Sequence, residues 1–301
     1  MVAGHQNTIV LSVQQPAGID VTRSMKPIAR AGWLAHLQLD YARTERGTHL
    51  RRKTHTGPLT VQKSLFPEGP GVCHTLILHP PGGIAGNDTL AVDVKLDAGS
   101  QVLITMPGAT KWYRTEDAPA TQRLNINIDA GATLEWLPPE TIVFDRAAAR
   151  MHTAIDLAGG NYLGWEILCL GRTASGETYD AGDIRQTTEI SVAGELLWSE
   201  RCRLHGGSRL LSAPAGLGGA PVSAIFLAAG QTVAPELVAK CRDIKLDGPA
   251  RSGITAMPNI FVARYLGHSS EQAKCYFIDL WRLLRPCFSG REAVTPRIWT
   301  T

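Results

Sequence analysis

The sequence predicts a mainly β protein of stacked or helically wound sheets, β-helix-like, with two α-helices near the C-terminus. Three observations carry that expectation. A stretch of about thirty residues recurs, with strand-like alternation and no helical period inside it. Glycine and proline punctuate the first two thirds of the chain at turn-like spacing. Helical apolar stripes appear only beyond residue 230.

The recurrence is ungapped. Residues 92–114 (VDVKLDAGSQVLITMPGATKWYR) lie over residues 124–146 (LNINIDAGATLEWLPPETIVFDR). Asp97-Ala98-Gly99 falls on Asp129-Ala130-Gly131, Pro107 on Pro139, Trp112 on Phe144 and Arg114 on Arg146. Two weaker echoes follow, IDLAGGNYLGWE (155–166) and ISVAGELLWSE (190–200), each a strand, a glycine turn and an apolar strand with a Trp near a Glu. One such unit cannot cover its own faces, and stacking the next unit on it can. A run of β-hairpins with similar turns is the less regular alternative.

Along the chain, residues 1–31 read as a leader or an added edge segment, and 32–301 as the β domain. Residues 33–41 alternate as a first strand, and residues 48–50 and 57–61 supply further strand material broken by a turn. Residues 65–88 (LFPEGPGVCHTLILHPPGGIAGND) organise the domain. A Pro/Gly turn leads into a strand at 73–78, which His79-Pro80-Pro81 stops because proline cannot donate to a ladder. Gly82, Gly83 and Gly86 leave a loop almost without Cβ atoms, which predicts close approach to its backbone. Residues 206–220 form a glycine-rich connection and residues 222–229 a buried strand. A helix is expected over 232–244, with Thr232 near its start. A second is expected over 270–284, with Ser270 as cap, a Phe277, Leu280, Trp281, Leu284 stripe, and Arg285-Pro286 as its stop.

Composition narrows the function. A net charge of +3 is too weak to argue for nucleic acid, and Arg51-Arg52-Lys53 reads as a solvated turn. No apolar run is long enough to span a membrane, and the N-terminus lacks the pattern of a secretory signal. Six cysteines without a C-x-x-C pair suit reduced thiols in the cytoplasm, and paired zinc-ligand spacing is missing. Gly216-Leu217-Gly218-Gly219 has neither the GxGxxG nor the GxxxxGK[ST] pattern, so no nucleotide is expected on this chain. G-x-S-x-G and H-E-x-x-H are also missing.

The segment 65–88 resembles the hallmark segment of the UreD (or UreH) family of urease accessory proteins. The resemblance continues through TMPGATKWYR (105–114), LEWLPPETIVFDRA (134–147), LGRTASGE (170–177), WRLLRPCFSGR and PRIWTT, in order, from about Gly32 to the end. It implies a non-catalytic urease maturation chaperone that helps deliver Ni2+ in transit to apo-urease. It also implies a UreF-like partner and, through the complex, a UreG-like GTPase. Docking of that kind predicts exposed apolar surface and poor solubility of the lone chain.

The resemblance also directs attention to carboxylates near turns. Glu140 and Glu177 match positions associated with a water-filled passage, and Glu68, Asp88 and Asp145 join them as candidate metal-facing residues. Oxygen ligands hold a divalent ion loosely enough to release it, which a thiolate cage would not. The structural alternative for Glu140 is a turn hydrogen bond or a pair with Arg146 or Arg114. Cys73 and His74, with His79, could form a soft site, but neighbours on one strand point to opposite faces. A β-helical polysaccharide lyase or glycosidase, which needs paired acids, and a carbohydrate-binding module are the competing classes.

Overall fold

Because alternating segments recur without helical breaks, the chain winds back and forth between two sheets. The structure, a computed structural model, describes residues 32–116 and 118–300. The leader expected at residues 1–31 lies outside them. The first strands are β1 (Leu34–Thr44), β2 (Gly47–Thr56), β3 (Thr60–Val61), β4 (Cys73–Leu78), β5 (Thr89–Leu96), β6 (Gln101–Thr105) and β7 (Thr110–Trp112). Next come β8 (Ala120–Asp129), β9 (Thr133–Trp136), β10 (Thr141–Val143), β11 (Ala148–Ala158), β12 (Asn161–Leu170), β13 (Asp183–Val192) and β14 (Glu195–His205). The short helix α1 (Arg209–Ser212), β15 (Val222–Ala229), α2 (Pro235–Arg242), β16 (Arg251–Met257), β17 (Ile260–Gly267) and α3 (Ser270–Ser289) complete the fold.

The seven-stranded sheet has the order β14-β13-β11-β8-β5-β1-β2, and the ten-stranded sheet runs β16-β17-β15-β12-β9-β6-β4-β3, with β7 and β10 attached beside β12. Successive windings pair in parallel: β5 with β8 and β8 with β11 in one sheet, β6 with β9 and β9 with β12 in the other. That is a stacked, solenoid-like β architecture.

The ungapped repeat is the pairing register itself. Val92 pairs with Leu124 and Val102 with Leu134, each 32 residues apart. One expected equivalence shifts: Trp112 sits beside Val143, not Phe144, because the third strand of the unit pairs one residue earlier. The two echoes also lie in register, Ile155 beside Ile190, but the second turns back as the antiparallel β13–β14 hairpin and ends the winding.

Two apolar layers result. Leu37, Leu39, Val94, Ile126, Leu134 and Ile155 pack between the sheets. Phe226, Phe261, Phe277, Leu280, Trp281 and Leu284 pack between the ten-stranded sheet and the helices. The stripe predicted for α3 is this second layer's centre.

Three helix expectations need correction. Pro286 does not stop α3, which runs to Ser289 and closes on left-handed Gly290. The buried anchors Arg285 and Phe288 hold the last turn in place, the Ser289 hydroxyl donates to the Arg285 carbonyl, and the Gly290 amide donates to Pro286. The cap of α3 is Ser269, not Ser270. The other helix starts at Pro235, where the missing N–H is harmless, and the Thr232 hydroxyl instead accepts the Asn259 amide. Arg51-Arg52-Lys53 lies on strand β2, not in a turn, and is exposed. The bare loop at Gly83 is approached by a ring: a Cβ there would stand 2.3 Å from Tyr113.

Candidate functional site

Strand parity decides which side chains enter the space between the sheets. On β12, Tyr162, Leu168 and Leu170 belong to the inter-sheet layer, while Leu163, Trp165 and Ile167 belong to the helix layer. Glu166 therefore faces the opposite sheet, where the Gln186 amide of β13 donates to its carboxylate. The same parity turns Gln122, Thr153, Thr188, Glu200 and Cys202 inward from one sheet and Ser223 and Arg264 from the other.

These groups line a row of cavities. The middle one, about 70 Å³, is walled by Gln122, Trp136, Thr153, Tyr162, Glu166 and Thr188 among others. It shares Met106, Thr110, Gln122 and Trp136 with a cavity of about 400 Å³ that opens by His79, Gly82 and Gly108. On its other side it shares Glu166, Thr188 and Ile225 with one of about 60 Å³ lined by Gln186, Glu200, Cys202 and Arg264. Each has room for water, and the polar walls supply partners for it. Burial, reinforced by the nearby Glu200 carboxylate, pushes the Glu166 carboxyl up to about 7 despite the Gln186 hydrogen bond. Glu166 therefore changes charge near neutrality.

The five carboxylates read from the sequence take other places. Glu68 is buried in an ionic network, where His74 Nε2 contacts Oε1 at 2.6 Å and Arg285 grips both oxygens at 2.8 Å. Burial pushes the Glu68 carboxyl up, but His74 and Arg285 together outweigh it and hold it below the usual range. The same guanidinium reaches Glu135, which also accepts the Trp281 indole N–H at 2.7 Å. Burial pushes Glu135 up, against the pull of Arg285. Asp88 accepts the Trp33 and Ala85 amides and so fixes a turn.

Asp145 accepts the Asp180 and Ala181 amides, and Glu177 accepts the Asp145 amide at 3.3 Å, so these two are neighbours. Glu177 is also paired with Arg172, whose hydrogen bond holds its carboxyl below the usual range. Glu140 is half-buried beside the cavity-lining Pro138 and Thr141, and its carboxylate makes no hydrogen bond or ion pair among the described residues. Cys73 is buried and His74 engages Glu68, so the strand splits that pair as parity requires. Among the described residues, no three His, Cys, Asp or Glu are placed to hold a metal ion together.

Two carboxylates of the seam, Glu166 and Glu200, lie outside that set although the sequence marks them. Each is the Glu that follows a Trp in one of the two repeat echoes. Gln186, Thr188 and Gln122 carried no signal beyond their strands.

Winding, parallel register and the inward row of polar side chains define a β-solenoid scaffold with a polar, cavity-lined seam. The sequence model of the family described as "UreD urease accessory protein" matches residues 34–300. Urease accessory protein UreD of Dechloromonas aromatica is 46% identical over 280 residues, covering 92% of this chain and 97% of its own. Those of Methylobacillus flagellatus, 44% over 94% and 99%, and Pseudomonas fluorescens Pf-5, 47% over 89% and 95%, are similar. The chain belongs to the UreD family of urease accessory proteins and so serves urease maturation. No helix among the described residues is long and apolar enough to cross a membrane.

Proposed function

We propose that the chain is a non-catalytic scaffold that passes Ni2+ to apo-urease along the seam between its two sheets. The observation that carries this reading is the row of wall-sharing cavities centred on Glu166. Oxygen groups spaced along a path give a borderline divalent ion successive weak sites, each loose enough to leave. A carboxyl that ionises near pH 7 can release its proton as the ion arrives and regain it afterwards. Glu140 adjoins the cavity-lining Pro138 and Thr141 and in this reading receives the ion there, whereas Asp145 and Glu177 line none of the three cavities. Glu68 and Asp88 serve this function by holding the surrounding loops.

Delivery requires docking. The reading therefore includes a UreF-like partner and, through it, a UreG-like GTPase that supplies the nucleotide chemistry for which this chain has no phosphate-loop pattern. Exposed Leu65, Phe66, Leu196 and Leu210 are apolar surface available for such contacts in the cytoplasm.

The test is nickel-dependent urease activation in cells carrying Glu166→Ala or Glu200→Ala. Activation is expected to fall about 10–100-fold, the scale on which groups around a metal path act. Soluble, folded variants that activate urease as the parent does would overturn the reading. Glu177→Ala, whose carboxylate is already held by Arg172, is expected to have the smaller effect.

A further inference from the structure

We propose that Arg264 is a built-in counter-cation that occupies Glu200 in the resting chain and limits the seam to ions carrying two positive charges. This rests on the passage reading and adds a selectivity residue to it. Arg264 projects from β17 of the ten-stranded sheet and Glu200 from β14 at the edge of the other. The two meet across the gap in a fork, with both terminal guanidinium nitrogens 2.7 Å from the two carboxylate oxygens. Both line the cavity that Glu166, Gln186 and Cys202 also line, so the pair stands at one end of the row.

The chemistry follows from counting charges. With Arg264 in place, Glu200 is neutralised. A potassium or sodium ion arriving there would replace one positive charge with another and forfeit two aligned N–H···O bonds. A divalent ion carries twice the charge, so its attraction to Glu200 doubles and Glu166 adds to it, which is the surplus that displacing the fork requires. Displacement is feasible because the pair is not sealed: the Arg264 side chain is 51% exposed and that of Glu200 26%. The displaced guanidinium can turn toward water while remaining close. Its charge then opposes capture of the ion, so residence at Glu200 stays brief.

Removing the guanidinium should convert a transit point into a holding point. Nickel binding by the full chain is measured by titration calorimetry in physiological potassium, for the parent, Arg264→Gln, Arg264→Lys, Glu200→Gln and the double variant Arg264→Gln/Glu200→Gln. Arg264→Gln is expected to bind Ni2+ about 10-fold or more tightly than the parent, the scale of effect for a group adjoining a metal ligand. The double variant should lose that gain, and Arg264→Lys, which keeps the charge, should stay near the parent. A merely structural role for Arg264 would not produce tighter binding. Arg264→Gln with parental affinity, or a gain that survives in the double variant, overturns the proposal. If Arg264→Gln changes nothing while Glu166→Ala still lowers urease activation about 10–100-fold, the counter-cation falls and the passage stands. If Glu166→Ala and Glu200→Ala both activate normally, the passage falls and this proposal falls with it.

Discussion

Replacing Arg285 with Met is expected to destabilise the chain by about 3–5 kcal/mol, because it strands two buried carboxylates without their shared cation. Arg285 is fully buried and joins Glu68 in the 65–72 turn to Glu135 on β9, from its place in the last turns of α3. The intact network need not be strongly stabilising, since desolvating its charges offsets most of their attraction. Breaking it is the costly step. Thermal unfolding should move down on the order of 10 °C, given how midpoints respond in large domains. Arg285→Lys keeps the charge but cannot grip both carboxylates, so it should recover part of the loss. A Met variant as stable as the parent would mean that the network is inert. Acid should mimic the lesion from the other side. The depressed carboxyl of Glu68 contributes stability above its unfolded value near 4.5, and that contribution is lost as pH falls further.

Glu166 should produce the opposite slope in a different window. Its folded value of about 7 lies above the unfolded 4.5, so its contribution is fully present below pH 4.5 and is lost as pH rises through 7. A shift of that size corresponds to up to about 3 kcal/mol. Stability differences between the parent and Glu166→Gln, measured by urea unfolding from pH 5 to 8, should therefore change by up to that amount, with the variant gaining as pH rises. A difference that stays flat across that range would show that Glu166 is already ionised and solvated at pH 5. The same window governs cation affinity: Ni2+ binding should strengthen as pH passes 7 and the carboxylate forms.

Much of this architecture could be read from the residues. Residues 92–114 and 124–146 aligned because parallel neighbours in a winding fold repeat the same inward and outward choices, and Val92 does face Leu124. β4 and β15 fell where alternation and flanking glycine or proline placed them. Pro286 misled because local preference argues for a stop, whereas buried Arg285 and Phe288 keep the last turn folded.

The site was less legible for a related reason. Glu68 sits in the hallmark segment, but its partner Arg285 lies 217 residues away, and no local pattern announces such a contact. Asp145 and Glu177 share a neighbourhood that turn chemistry hinted at. Glu166 lies in an apolar strand and Glu200 in a polar, partly exposed one, and their direction depends on which sheet covers which face. The spacing shortens by one residue within the first echo, Ile155 pairing with Ile126 but Tyr162 with Leu134, so the repeat's own parity would have turned Glu166 away from the seam.

The winding also makes the seam countable. The turn from β5 to β8 is a 32-residue parcel, so joining Val92 directly to Asn125 would keep the lateral address of every later strand. It would shorten the corridor by one strand spacing, about 4.8 Å, and delete Met106, Thr110 and Gln122 from its walls. Reach along the seam is thus set by how many turns the gene encodes, a dimension that evolution or an engineer can change in whole steps.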